Sequence, residues 1–200
     1  LDPHDGIQAR RAMQMARALH ESDAMLEREF DFYAESMRYE RLLRDRYGTI
    51  DVPGYNEMAA RVRCLHEFVE GDDSHTCLCH NDFFSLNFLI GADNEISLID
   101  WEYAGMSDYA SDFGTYTVCC ELSVEEEQET LAYYFDREPT FEELRHNFAY
   151  VALAGWCWYV WSLMKEAEGD TVGEWLYIYY RYAKQYLDMA LPWYEQGERT

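Results

Sequence analysis

The sequence predicts an α+β fold that is mainly α-helical and carries one small β-hairpin, and three observations lead there. Long stretches repeat apolar residues at helical spacing, and one short segment alternates instead about a central turn. The chain has 200 residues, 48% hydrophobic and 28% charged, enough for one sizeable core.

Taken in order, Gly6–Glu21 (GIQARRAMQMARALHE) sets Ile7, Ala12, Met13, Met15, Ala16 and Leu19 on one helical stripe. A second helical pattern runs from Asp23 to Arg44. Pro53 and Gly54 interrupt it, and Asn56–Val69 resumes with Met58, Val62, Leu65 and Phe68 at helical spacing. Thr76–Cys79 reads as a short strand. Asn87–Gly91 and Ile96–Asp100 then alternate about a Gly/Asn-containing turn, GADNE, which predicts the hairpin. Helices Val124–Phe135, Phe141–Glu168 and Glu174–Leu191 complete the chain, separated by the Pro139 and Gly169 signals. The acidic run Glu125–Glu129 is a solvated helix face, and no repeat or low-complexity linker is visible.

The uncharged segment Asn147–Met164 reaches the lower edge of membrane-spanning length. Its aromatics fill the centre rather than the ends and its flanks lack a basic cluster, so it reads as a buried helix. The formal charge of −23, from 39 acidic and 16 basic residues, argues against nucleic acid and anionic membrane and suits a cationic partner. Six cysteines, with no C-x-x-C pair and no signal peptide, are expected as buried thiols of a reducing, cytoplasmic compartment. Cys77, Cys79 and His80 invite a metal assignment, but the strand reading of Thr76–Cys79 accounts for them.

Chemistry concentrates between Cys79 and Gly114. His80, Asp82 and Asn87 form H-x-D-x-x-x-x-N, and the hairpin that follows delivers Asp100. Phosphoryl transfer needs a carboxylate to accept the hydroxyl proton and oxygen ligands to hold Mg²⁺ against the phosphates. Asp82, Asn87 and Asp100 supply that set, because hairpin pairing brings Asn87 and Asp100 to the same end of two strands. The first motif alone arises by chance, and Asp and Asn are common turn residues. The second carboxylate, at a spacing that a hairpin closes, favours the catalytic reading.

The stretch resembles the catalytic segment of the aminoglycoside phosphotransferase and choline/ethanolamine kinase superfamily, relatives of protein kinases. HNDFFSLN resembles its catalytic loop, and IDWEYAG resembles the metal motif of choline kinases. The resemblance implies a protein kinase-like C-terminal lobe, with Asp82 as catalytic base and Asn87 and Asp100 as Mg²⁺ ligands. His80 and Asp112, in SDFG, would support the catalytic loop. Glu102 stands where protein kinases have the Gly of DFG and where choline kinases carry Glu, which favours the choline kinase branch, and it is expected among the substrate-binding residues. ARALHES, with His20, resembles the first helix of that lobe.

WYVWSL resembles the W-x-x-W-S segment that walls the choline site, so Trp158 and Trp161 are implied as a cage for a quaternary ammonium. Such a group has no N–H to donate and is recognised by aromatic faces. Tyr180, in EWLYIYYRYAKQY, falls on a choline-contacting tyrosine of the family. Glu121 is assigned to the same pocket, at a distance from Asp112 that departs from the family pattern. The competing account is that tryptophans and tyrosines at helical spacing are core.

No glycine-rich loop and no strand-borne lysine precede His80. The expectation is therefore that residues 1–200 are the C-terminal lobe, and that ATP is bound mainly by an N-terminal lobe outside this chain. The implied activity is transfer of the ATP γ-phosphate to the hydroxyl of choline, for lipopolysaccharide or cell-surface decoration. An ethanolamine or aminoglycoside kinase, or a non-catalytic quaternary-ammonium-binding module, are the alternatives.

Overall fold

The computed structural model describes residues 1–93 and 95–197. Among them are seven α-helices and four short strands. The chain divides into two compact units, one of Leu1–Phe30 with Ser74–Leu144 and one of Asp31–Asp73 with Arg145–Thr200.

In the first unit, α1 (Gly6–His20) opens on Asp5, whose carboxylate accepts from the N–H groups of Ile7 and Gln8 at 3.1 and 3.0 Å. That cap satisfies donors the first helical turn would otherwise leave bare. The helix buries Ala9, Ala12, Met13, Ala16 and His20. Strand β1 (Thr76–Cys79) forms where the TCLC segment predicts it. The predicted hairpin forms as β2 (Phe88–Ile90) and β3 (Ile96–Leu98), in the register Phe88↔Leu98 and Ile90↔Ile96. The unit continues through β4 (Gly105–Asp108), α4 (Ala110–Cys119), α5 (Val124–Phe135) and the first turn of α6 (Phe141–Glu168). A capping box between Ser123 and Glu126 starts α5.

Two features lie outside the sequence expectations. The expected strand β1 has a partner that was not foreseen, pairing antiparallel with β4 from Thr76↔Asp108 to Cys79↔Gly105. GMSD has no apolar alternation to announce a strand. The helix expected from Asp23 begins instead at Phe32, as α2 (Phe32–Tyr47). Asp31 caps it, accepting from Ala34 N–H at 2.6 Å, and the residues before it serve the sheet. Met106 N–H donates to Arg28 O at 2.8 Å and Phe30 N–H donates to Met106 O at 2.9 Å, which holds residues 28–30 extended along β4.

The second unit packs α2, α3 (Tyr55–Val69), the body of α6 and α7 (Trp175–Gln196). The uncharged stretch of α6 is its core: Phe148, Ala149, Val151, Ala152, Ala154, Cys157 and Val160 are fully enclosed. Gly155 explains the close approach of α7, because a Cβ there would lie 2.7 Å from Ala183 N and 3.1 Å from Tyr179 O. No helix among the described residues is long and apolar enough to cross a membrane. All six cysteines are free thiols, with Cys64 and Cys119 only partly buried.

Candidate active site

The site in the first unit is built where β1 ends. Past Cys79 the chain turns through His80 and Asn81 to Asp82, and Asn81 takes a left-handed backbone conformation with φ 63°. A non-glycine residue holds that conformation at a cost, so the surroundings must fix it. They do so through Asp112, in the first turn of α4. Its Oδ1 accepts from Asn81 N–H at 2.6 Å and its Oδ2 accepts from His80 N–H at 3.0 Å. The same Oδ2 lies 3.0 Å from Nε2 of His20 on α1. Asn81 is tied again by its side chain, with Oδ1 accepting from Ser111 Oγ at 2.7 Å and Nδ2 donating to Tyr103 O at 3.0 Å. Thr115 Oγ1 donates to Asn81 O at 3.1 Å. Three side chains of α4 therefore fix one loop.

His80 Nε2 donates to Ile99 O at 2.9 Å, joining the loop to the end of β3. Asp82 and Asn87 meet directly. Asn87, in the 3₁₀ turn Ser85–Asn87, donates from Nδ2 to both Asp82 Oδ2 at 2.9 Å and Asp82 O at 2.8 Å. Committing Nδ2 in this way leaves the hard amide oxygen of Asn87 as its ligand atom. Asn87 O accepts from Ile99 N–H at 2.9 Å, so Asp100 follows immediately after the residue paired with Asn87. Asp100 is exposed and also left-handed, with φ 64°. An amide oxygen and a carboxylate form a donor set suited to a hard divalent cation such as Mg²⁺.

Burial pushes the Asp82 carboxyl above the ordinary aspartate value. The Asn87 hydrogen bond and His80 pull it down, while the negative Asp100 and Glu102 push it further up. Glu102 is exposed in the 3₁₀ turn Trp101–Tyr103, and its backbone oxygen accepts from Arg28. Glu121 is exposed just beyond α4, at φ 52°.

The aromatic residues singled out from the sequence lie in the second unit. Trp158 and Trp161 meet edge to face at 6.2 Å on α6. Trp158 is 6% exposed and packs edge to face on Phe32 at 6.1 Å, whereas Trp161 is only partly buried. Tyr180, on α7, packs on Tyr159 at 5.4 Å. Tyr159 follows Trp158 by one residue and so sits about 100° around the helix from it.

The phosphotransferase enzyme family model matches residues 1–156. The chain belongs to that family. Protein LicA of Haemophilus influenzae is 26% identical over 184 residues, which are 89% of this chain and 52% of that protein. Choline kinase LicA from Streptococcus pneumoniae shares the fold with a TM-score of 0.81 at 24% identity, over 94% of this chain and 66% of its own. A choline/ethanolamine kinase family protein from Mesorhizobium loti does so with a TM-score of 0.74 at 24% identity, over 93% and 61%. The chain thus spans between about half and two thirds of the length of these relatives. The resemblance drawn from HNDFFSLN and IDWEYAG agrees with the family match.

Some residues of this candidate site escape motif reading. Asn81, Ser111 and Thr115 hold the loop through hydrogen bonds and stand outside the H-x-D-x-x-x-x-N positions. One sequence signal existed: Asn is among the few residues that tolerate a left-handed backbone, and here it precedes Asp82.

Proposed function

We propose that this chain is the catalytic and substrate-binding lobe of an ATP-dependent kinase that phosphorylates the hydroxyl of a small cationic alcohol, choline. The observation that carries the reading is the Asp82–Asn87 pair, which follows the His80–Asn81 turn held by Asp112 and is followed across the hairpin by Asp100. Asp82 orients the alcohol and accepts its proton as the alcohol oxygen bonds to the γ-phosphorus and the bond to the β-phosphate oxygen breaks, releasing ADP. Asn87 restrains Asp82 through Oδ2, which aims the carboxylate. Asn87 and Asp100 would hold Mg²⁺, which supplies neutralisation of the phosphate charge. Trp158, Trp161 and Tyr180, all of the second unit, would take the ammonium end. In this reading an N-terminal lobe outside the chain supplies most of the nucleotide contacts, and the enzyme works in the cytoplasm on precursors of surface phosphocholine.

The test is phosphate transfer by the full-length enzyme with ATP and Mg²⁺, offered choline, ethanolamine and an aminoglycoside in turn. Choline should be preferred, and Asp82→Asn should lower turnover about 10²–10⁴-fold with nucleotide affinity largely kept. Binding of choline without any turnover would identify a non-catalytic module instead. Robust turnover by residues 1–200 alone would refute the two-lobe part of the reading.

A further inference from the structure

Strand β1, which feeds the catalytic loop, carries Cys77 and Cys79 two residues apart, so both side chains leave the same face of the strand. That face is turned inward, with Cys77 5% exposed and Cys79 fully enclosed. The two sulfurs lie 3.6 Å apart. His20, the last residue of α1, completes a trio in which one imidazole nitrogen and both sulfurs lie within 4.8 Å of one another. His80, next to Cys79 in sequence, is instead engaged with Ile99 O. We propose that Cys77, Cys79 and His20 form a binding site for a thiophilic divalent cation of the Zn²⁺ or Cd²⁺ type.

The ligand chemistry and the spacing both favour this class of ion. A tetrahedral Zn²⁺ with bonds of about 2.3 Å to sulfur holds two thiolates about 3.8 Å apart, close to the separation already present. The imidazole, with one nitrogen no more than 4.8 Å from either sulfur, must close on both by a side-chain adjustment. Each of its nitrogens now makes one hydrogen bond, Nδ1 with Tyr134 OH at 2.9 Å and Nε2 with Asp112 Oδ2 at 3.0 Å. Whichever bond remains would fix the ring, as outer partners of metal-bound histidines do. An oxygen as fourth ligand is within reach from Asp112, or from Asp108 O, which lies 3.3 Å from Cys79 Sγ. Binding would exchange two thiol protons for the ion and release them to solvent. Soft sulfur ligands also keep this site distinct from the oxygen donors Asn87 and Asp100, which suit Mg²⁺. Because Asp112 also holds His80 and Asn81, an ion drawing on His20 would disturb the support of the catalytic loop.

Cobalt(II) is the probe, since thiolate ligation gives a near-ultraviolet charge-transfer band and a tetrahedral site gives intense visible bands. The chain, kept reduced, is titrated with Co²⁺ both folded and during refolding. The expected result is one equivalent with both signatures, displaced by Zn²⁺ and untouched by excess Mg²⁺. Cys77→Ala and Cys77→Ser, checked for fold by circular dichroism, should weaken Co²⁺ at least tenfold and reduce the charge-transfer band, whereas Cys64→Ala on α3 should change neither. Absence of the charge-transfer band from the wild-type chain under both conditions overturns the proposal without reference to any variant. A band of undiminished intensity in folded Cys77 variants, or one displaced by Mg²⁺, overturns it as well.

Discussion

In its proposed role Asp82 must be ionised to accept a proton, yet its burial resists the charge, and Asp100 and Glu102 add to the resistance. Its pKa is raised, so the acid limb of kcat/KM should fall at a higher pH than an ordinary aspartate would give, and Glu102→Gln should move that limb downward. The sign for stability is the reverse of an ion-paired carboxylate. A raised folded-state value stabilises the protonated form, and that contribution is lost as pH rises through the folded value. Asp82→Asn should therefore melt at an equal or higher temperature than wild type in neutral buffer, with the gap closing in acid; a lower melting temperature in neutral buffer would contradict the buried-charge account. At this scale motif reading singled out the residues whose proposed chemistry demands a type: a base, an amide, a carboxylate. Asn81 was not legible because its role is to hold φ 63° between Asp112, Ser111 and Tyr103, and nothing in H-x-D-x-x-x-x-N demands an Asn at its second position.

Elements show the same division between pattern and partner. The periodicity of Val124–Phe135 and Phe141–Glu168 found α5 and α6 to the residue, since amphipathic or uncharged runs bounded by caps and breakers are self-announcing. Strand β4 and the extended residues 28–30 were missed because backbone pairing holds them, β4 against β1 and residues 28–30 against Met106, and such pairing leaves no side-chain pattern to read. The α6–α7 contact at Gly155 makes a sharp prediction: Gly155→Ala places a Cβ against the backbone of Ala183, so despite alanine's better helix propensity it should lower stability by about 1–3 kcal/mol in urea unfolding. A stabilised Gly155→Ala would show that the helices part easily. Asp72, in the loop after α3, ties that loop to both helices, accepting from Arg145 at 2.7 Å, from His146 at 2.9 Å and from Tyr194. Burial raises its pKa, but the His146 and Tyr194 hydrogen bonds and the His146 and Arg145 charges outweigh it and leave the carboxyl below its ordinary value. Its stabilisation is present above the unfolded-state value and lost as pH falls through the lowered one. Asp72→Ala should cost roughly 1.5–3 kcal/mol at neutral pH and progressively less in acid, as read by urea midpoints at each pH. An equal cost at all pH values would exclude the charged hydrogen bonds as the source.

For the whole molecule, the formal charge of −23 draws in any small cation, and choline and ethanolamine carry the same single charge. Long-range electrostatics therefore cannot separate the two candidate substrates. Ring faces can, because methylation spreads the charge over an apolar surface that aromatics cover and removes N–H groups that would otherwise need acceptors. The fold makes the two tryptophans unequal tests of this idea. Trp158, 6% exposed and packed on Phe32, is structural enough that Trp158→Ala should cost about 3–5 kcal/mol of stability, whatever it does to binding. Trp161, only partly buried, can be truncated with the core intact. Losing one cation–π face worth about 0.5–2 kcal/mol should raise the choline KM of the full-length enzyme roughly 2- to 30-fold, with kcat little changed and ethanolamine much less affected. Steady-state kinetics of Trp161→Ala with both amines, alongside melting curves for both variants, settles the question. If the two KM values rise equally, or if Trp161→Ala destabilises as much as Trp158→Ala, both tryptophans belong to the core and the quaternary ammonium is recognised elsewhere.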